Sequence, residues 1–159
     1  MKFRRRVPWE RWPRNWVSLD PGGTTGYAVW DGTELVRVGQ VDCGRDWRGV
    51  VEGVDVLLEE LVGLGGLVVE DFLLRGGGVR TLGREGLLPV YVTGVLLGQL
   101  WREWFVILQG ASDAISVIDD GRLERAVGGV VGAHARDAVR HGLLFMRKSG
   151  VYQQSLPSQ

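Results

Sequence analysis

Trp16-Val17-Ser18-Leu19-Asp20-Pro21-Gly22-Gly23-Thr24-Thr25-Gly26-Tyr27-Ala28-Val29-Trp30 is the stretch whose reading decides the fold. A short apolar strand ends on a carboxylate, Asp20, and a glycine-threonine turn sends the chain straight back. Pro21 and the glycines make the turn tight, and their lack of bulk lets a large anionic substrate approach the backbone. A carboxylate at the end of an opening strand is how several nuclease folds hold a divalent metal. Asp, Pro and Gly are also ordinary turn residues, so this segment alone leaves both readings open.

Working outward, Asp31-Gly32 is a two-residue hairpin signal, and Glu34 to Val41 alternates as a third strand. Three hairpin-linked strands make an antiparallel meander. Asp46 can cap a helix from about Trp47 to Leu64, where Val50, Val51, Val54, Leu57, Leu58 and Leu61 recur at helical spacing. Gly63, Gly65 and Gly66 stop it. Leu67 to Phe72 is apolar except for Glu70 and Asp71, as in a strand covered on both faces. A Gly- and Arg-rich stretch, Leu73 to Gly86, leads to a helix over Leu88 to Trp104 and a fifth strand over Phe105 to Gln109. Ser112 or Asp113 can cap a short helix; others are expected at Arg122 to Val127 and His134 to Arg147. The helix-linked strands run parallel to the first. The expected architecture is α/β and ribonuclease H-like: a five-stranded mixed sheet, its first three strands antiparallel, flanked by helices. One domain spans 16–149, between a basic, Trp-rich arm (1–15) and a polar tail (150–159).

The 159 residues suit one domain with a sizeable core. No apolar run is long and charge-free enough to span a bilayer, and the basic N-terminus lacks a signal-type apolar core. The lone cysteine, Cys43, has no internal disulfide partner, which fits a reducing cytoplasm. Net charge is zero, yet the first 16 residues carry Lys2, Arg4, Arg5, Arg6, Arg11 and Arg14 against Glu10 alone. Trp9, Trp12 and Trp16 sit among them. That mixture suits phosphate pairing and base stacking, or tryptophans packed on their own domain.

Two further acids stand out. Glu70, in an apolar strand, needs a metal or a hydrogen-bonding network as partner, unless it turns toward water. Asp137 lies three residues after His134 on the last helix, so the two share a face. Such a pair can ligate one ion, or can simply sit on a solvated face. With Asp20, the set suggests phosphodiester hydrolysis. Two cations about 4 Å apart can activate water and neutralise the leaving oxygen. Mg²⁺ prefers oxygen ligands, an imidazole makes Mn²⁺ more suitable, and His134 can alternatively act as a general base.

Val17 to Gly26, Leu67 to Phe72 and His134 to Leu144, with a weaker segment from Gln109 to Arg125, resemble the RuvC family of Holliday-junction resolvases, particularly its short phage-type members. The resemblance covers about residues 16–147. It implies a homodimer and metal-dependent nicking of two strands at a four-way junction. Carried over by position, it implies Asp20 as the carboxylate bridging two metals and Glu70 as the second-strand carboxylate. Asp137 becomes the helix carboxylate, and His134 occupies the slot three residues before it, where many members have Asp. A basic residue often found in the segment matching Ser112 to Ser116 is missing, Ile115 standing in its slot; Arg122 or Arg125 can supply the charge. Arg75, Arg80 and Arg84 can track the junction backbone, and Phe72 or Leu73 can wedge between bases, although a solvated loop has the same composition. The helix from Leu88 is apolar on more than one face, which fits a dimer interface or deep burial within one subunit.

The rivals are another ribonuclease H-fold nuclease acting on flaps, branched DNA or packaging substrates, and a catalytically silent DNA-binding scaffold. An actin-like nucleotide site would need a second related domain, for which the chain is too short.

Overall fold

The computed structural model describes residues 8–71, 84–110, 114, 117–129 and 131–151, the side chains of 84 and 85 aside. The strands are β1 (Asn15–Asp20), β2 (Thr24–Asp31), β3 (Glu34–Asp42), β4 (Gly66–Asp71) and β5 (Phe105–Gly110). They form one sheet in the order β3-β2-β1-β4-β5. β1 to β3 pair antiparallel, whereas β1 with β4 and β4 with β5 pair parallel. This is the expected mixed sheet. The helices are α1 (Trp47–Glu60), α2 (Leu88–Leu100), α3 (Asp120–Val127) and α4 (Ala133–Lys148).

Local chemistry explains the elements and corrects some bounds. Asp46 caps α1 by accepting from the Gly49 amide at 2.9 Å. The helix ends at Glu60 rather than Leu64, because a turn at Leu61 leads into left-handed Gly63. α3 starts two residues before Arg122, since Asp119 caps it. α2 closes at Leu100, four residues short of Trp104, and the chain turns there into β5.

Strand alternation sends side chains to two different layers. Val17 and Leu19 of β1 join Leu67 and Val69 of β4 in a core under α1 and α2. Trp16 of β1, Trp30 of β2 and Val68 of β4 join the opposite core, with Ala138, Val139 and Leu143 of α4. Trp16 and Trp30 stack there, 5.3 Å between centroids. Trp12 lies 4.6 Å from Phe145 and Trp9 lies 5.9 Å from it. Of the two uses open to these tryptophans, the structure shows packing: their rings complete the domain's own core.

α4 lies close against β1 and β2 for identifiable reasons. Ser18 Oγ donates to the Ala138 carbonyl at 2.7 Å and accepts from Trp30 Nε1 at 2.9 Å. Gly26 supplies the clearance, since a Cβ there would stand 2.0 Å from the His134 carbonyl oxygen. That approach brings the first turn of α4 to the end of β1. No described helix is long and apolar enough to cross a membrane.

Candidate active site

Asp20 ends β1 with the parity of Trp16 and Ser18, so its carboxylate faces α4. Glu70 has the parity of Val68 on the neighbouring parallel strand and faces the same way. The β1–β4 register pairs Leu19 with Val69, so one residue further brings the two acids side by side. The turn after Asp20 is pinned by Thr25, whose hydroxyl donates to the Gly22 carbonyl at 2.9 Å and accepts from the Gly22 amide at 3.2 Å. The tight turn forecast for this stretch is thus built by a threonine as well as by glycines.

His134 enters from the first turn of α4 and places Nδ1 2.7 Å from Asp20 Oδ2. Gln40 of β3 supports that turn, its Oε1 accepting from the Ala135 amide at 3.4 Å. Burial pushes the Asp20 carboxyl up to about 6; the His134 hydrogen bond opposes the rise and neighbouring Glu70 adds to it. Glu70 moves the other way, its carboxyl lowered chiefly by a hydrogen bond from His141, against the effect of burial. The proton shared by such a pair therefore belongs first to Asp20.

Asp137 has a different partner. Its Oδ1 accepts from Arg140 at 2.5 Å, and the same guanidinium reaches Asp120 of α3. Among the described residues, no three His, Cys, Asp or Glu side chains are gathered closely enough to hold an ion. The structure sets Asp20 beside both His134 and Glu70 without drawing the three around one point, and gives Asp137 an arginine counterion one turn along α4. Two carboxylates side by side, buried Asp20 with its proton affinity raised and half-buried Glu70, are a donor set that a divalent cation suits.

His141 is a functional candidate outside the set read from the sequence. It is 2 % exposed, with Nε2 3.3 Å from Glu70 Oε2 and Nδ1 3.4 Å from Gln109 Oε1. The signal was present: seven residues is two helical turns, so His141 repeats the face of His134. Arg140, three residues after Asp137, was equally legible as its ion-pair partner. Of the expected DNA contacts, Arg122 pairs with Asp119 at 3.3 Å and Arg125 is exposed on α3. Phe72, Leu73, Arg75, Arg80 and the Ser112–Ser116 segment, Ala114 apart, lie outside the described residues, as does the side chain of Arg84.

No family model and no curated protein sequence matches this chain. Solved structures do. RuvC of T. thermophilus, in complex with a Holliday junction substrate, aligns with a TM-score of 0.66 at 15 % identity, over 86 % of this chain and 96 % of that one. The Fowlpox virus resolvase, in a complex with Holliday junction DNA, aligns with a TM-score of 0.50 at 12 % identity, over 84 % of this chain and 97 % of its own. With a five-stranded mixed sheet in the order 3-2-1-4-5 and α4 against its carboxylate-bearing face, the chain has the ribonuclease H-like fold of the RuvC-type Holliday junction resolvases.

Proposed function

We propose that this protein is a divalent-metal-dependent, structure-specific endodeoxyribonuclease that resolves four-way DNA junctions by paired nicks. The observation that carries the reading is the meeting of Asp20, Glu70 and His134 at two parallel strand ends and a helix start, within a resolvase-type fold.

Asp20 and Glu70 would hold the metal, with Asp20 shared between two ions and His134 and Asp137 completing the set. Mg²⁺ or Mn²⁺, when bound, supplies an acidified water and neutralises charge on the leaving oxygen. The chain's own part is positional and protonic. Asp20 accepts from His134 Nδ1, which fixes the ring and leaves Nε2 as the nitrogen able to ligate or to take a proton. The His134 side chain is 47 % exposed, open enough for a water or a phosphate to reach it. Arg140 is the ion-pair partner that Asp137 would exchange for a cation.

Two scissile strands at a symmetric junction call for two such sites related by a two-fold axis. α2 supports a homodimer. It buries Leu88, Val92 and Leu96 in its own subunit yet exposes Tyr91, with Trp101 exposed just beyond its end. We assign the Phe72 to Arg84 stretch and α3, through Arg122 and Arg125, to the DNA. With that substrate we place the protein in the cytoplasm of a bacterial or phage-infected cell.

Labelled four-way junctions incubated with Mg²⁺ or Mn²⁺ should receive symmetric paired nicks, with linear duplex left intact. Asp20→Asn should bind the junction and cut no faster than the no-metal control. Equal cutting of plain duplex would move the protein to a flap or packaging nuclease, and normal cutting by Asp20→Asn would remove the site assignment altogether.

A further inference from the structure

Behind Glu70 lies a polar chain in an otherwise apolar layer. Glu70 and Gln109 are register partners on β4 and β5, and Gln109 is 4 % exposed. His141 of α4 bridges them, Nε2 toward Glu70 and Nδ1 toward Gln109 Oε1. One atom is left over: Gln109 Nε2 is buried with no hydrogen-bond partner among the described residues.

An orphaned buried N–H group is rarer and costlier than an under-satisfied carbonyl. The two ends of a glutamine amide are assigned from their hydrogen bonds, not from their shape. Half a turn of the Gln109 amide brings its NH₂ to His141 Nδ1 and leaves the oxygen as the less satisfied end. Nδ1 is then an acceptor, so the ring proton must sit on Nε2, facing Glu70.

We propose that Gln109 fixes His141 in the Nε2–H tautomer, and that His141 is thereby the positioning residue that orients the Glu70 carboxylate. This rests on the nuclease reading only where it concerns catalysis; the tautomer itself does not. The arrangement engages Glu70 through Oε2, and it accounts for the lowered carboxyl of Glu70. Outer partners of this kind typically change metal affinity or activity by about 10–100-fold when removed. A histidine serving only as core filling would require neither the tautomer nor the donor.

The ring ¹⁵N resonances of His141 in the metal-free wild-type protein test the first half without any substitution. The Nε2–H form is expected, and a proton on Nδ1, or on both nitrogens, overturns the proposal. Gln109→Leu should erode that preference; an unchanged tautomer in this variant counts against Gln109 as its cause. Calorimetric Mn²⁺ binding tests the second half. His141→Leu should weaken binding by about 10–100-fold, and His141→Gln, which retains a donor near Nε2, should recover most of it. Wild-type affinity in a folded His141→Leu overturns the positioning role. Should the wild type show the Nε2–H tautomer and bind Mn²⁺ yet cut no DNA, the nuclease reading fails and the Gln109–His141–Glu70 chain stands.

Discussion

The two faces of the sheet are built from the same strands and do different things. Toward α1 and α2, β1 and β4 offer Val17, Leu19, Leu67 and Val69, all fully buried among other apolar side chains. Toward α4 the same strands offer Trp16, Ser18 and Asp20, and Val68 and Glu70, so polarity rises step by step toward the strand ends. One face holds the sheet by area removed from water. The other combines area at its base with hydrogen bonds, to α4 through Ser18 and to His134 and His141 at its rim. A period of two thus lets one strand serve as scaffold on one side and as chemistry on the other.

If the division is real, damage to the apolar face should cost stability and spare the site. Leu19→Ala removes a fully buried side chain from the apolar core and should lower unfolding free energy by about 2–5 kcal/mol. Chemical denaturation measures this, and the metal dependence of the surviving folded fraction should be unchanged. Loss of metal binding from the folded fraction would show that the two faces are not separable.

On the α4 face the order should reverse. Gly26→Ala places a methyl against the His134 backbone, and the helix start must retreat. Overpacking of this kind costs about 1–3 kcal/mol, yet His134 should lose its contact with Asp20 and cutting should fall far more than stability. Equal losses in both would mean that the approach of α4 matters only for packing.

The smallest effect concerns pH. Asp20 has its folded proton affinity raised, to about 6. In the metal-free protein its stabilising contribution is present when it is protonated, below the unfolded value, and is lost as pH rises through about 6. Between about pH 4 and 6 stability should decline by on the order of 1 kcal/mol per unit. Glu70 is shifted downward, so its contribution is present above its unfolded value and is lost as pH falls through its lowered folded value, a change of opposite sign. Thermal melts across the range should show the decline in the wild type and a flatter profile in Asp20→Asn; identical profiles would contradict the raised affinity.

Much of this was legible in the chain because hairpins and alternation are local. Asp31-Gly32 announced one turn, and parity put Asp20 and Glu70 on a common face once their strands were recognised as parallel neighbours. What was not legible depended on depth. His141 reads as one more polar residue on an amphipathic helix until α4 is seen to bring it beside Glu70 of β4 and Gln109 of β5. Asp137 read as a site acid, and its Arg140 partner, although at i+3, could not be ranked above an ion. The tryptophans near the N-terminus looked usable for stacking on bases, and only the folded chain shows them engaged with one another and with Phe145.

Anomalous diffraction from manganese-soaked crystals would reach the central claim most directly. The account predicts a peak bridging Asp20 and Glu70, at about 2.1 Å from an oxygen of each, a spacing typical of small divalent ions with carboxylates. A fully active protein whose manganese sits elsewhere, with those two side chains unligated, would contradict it.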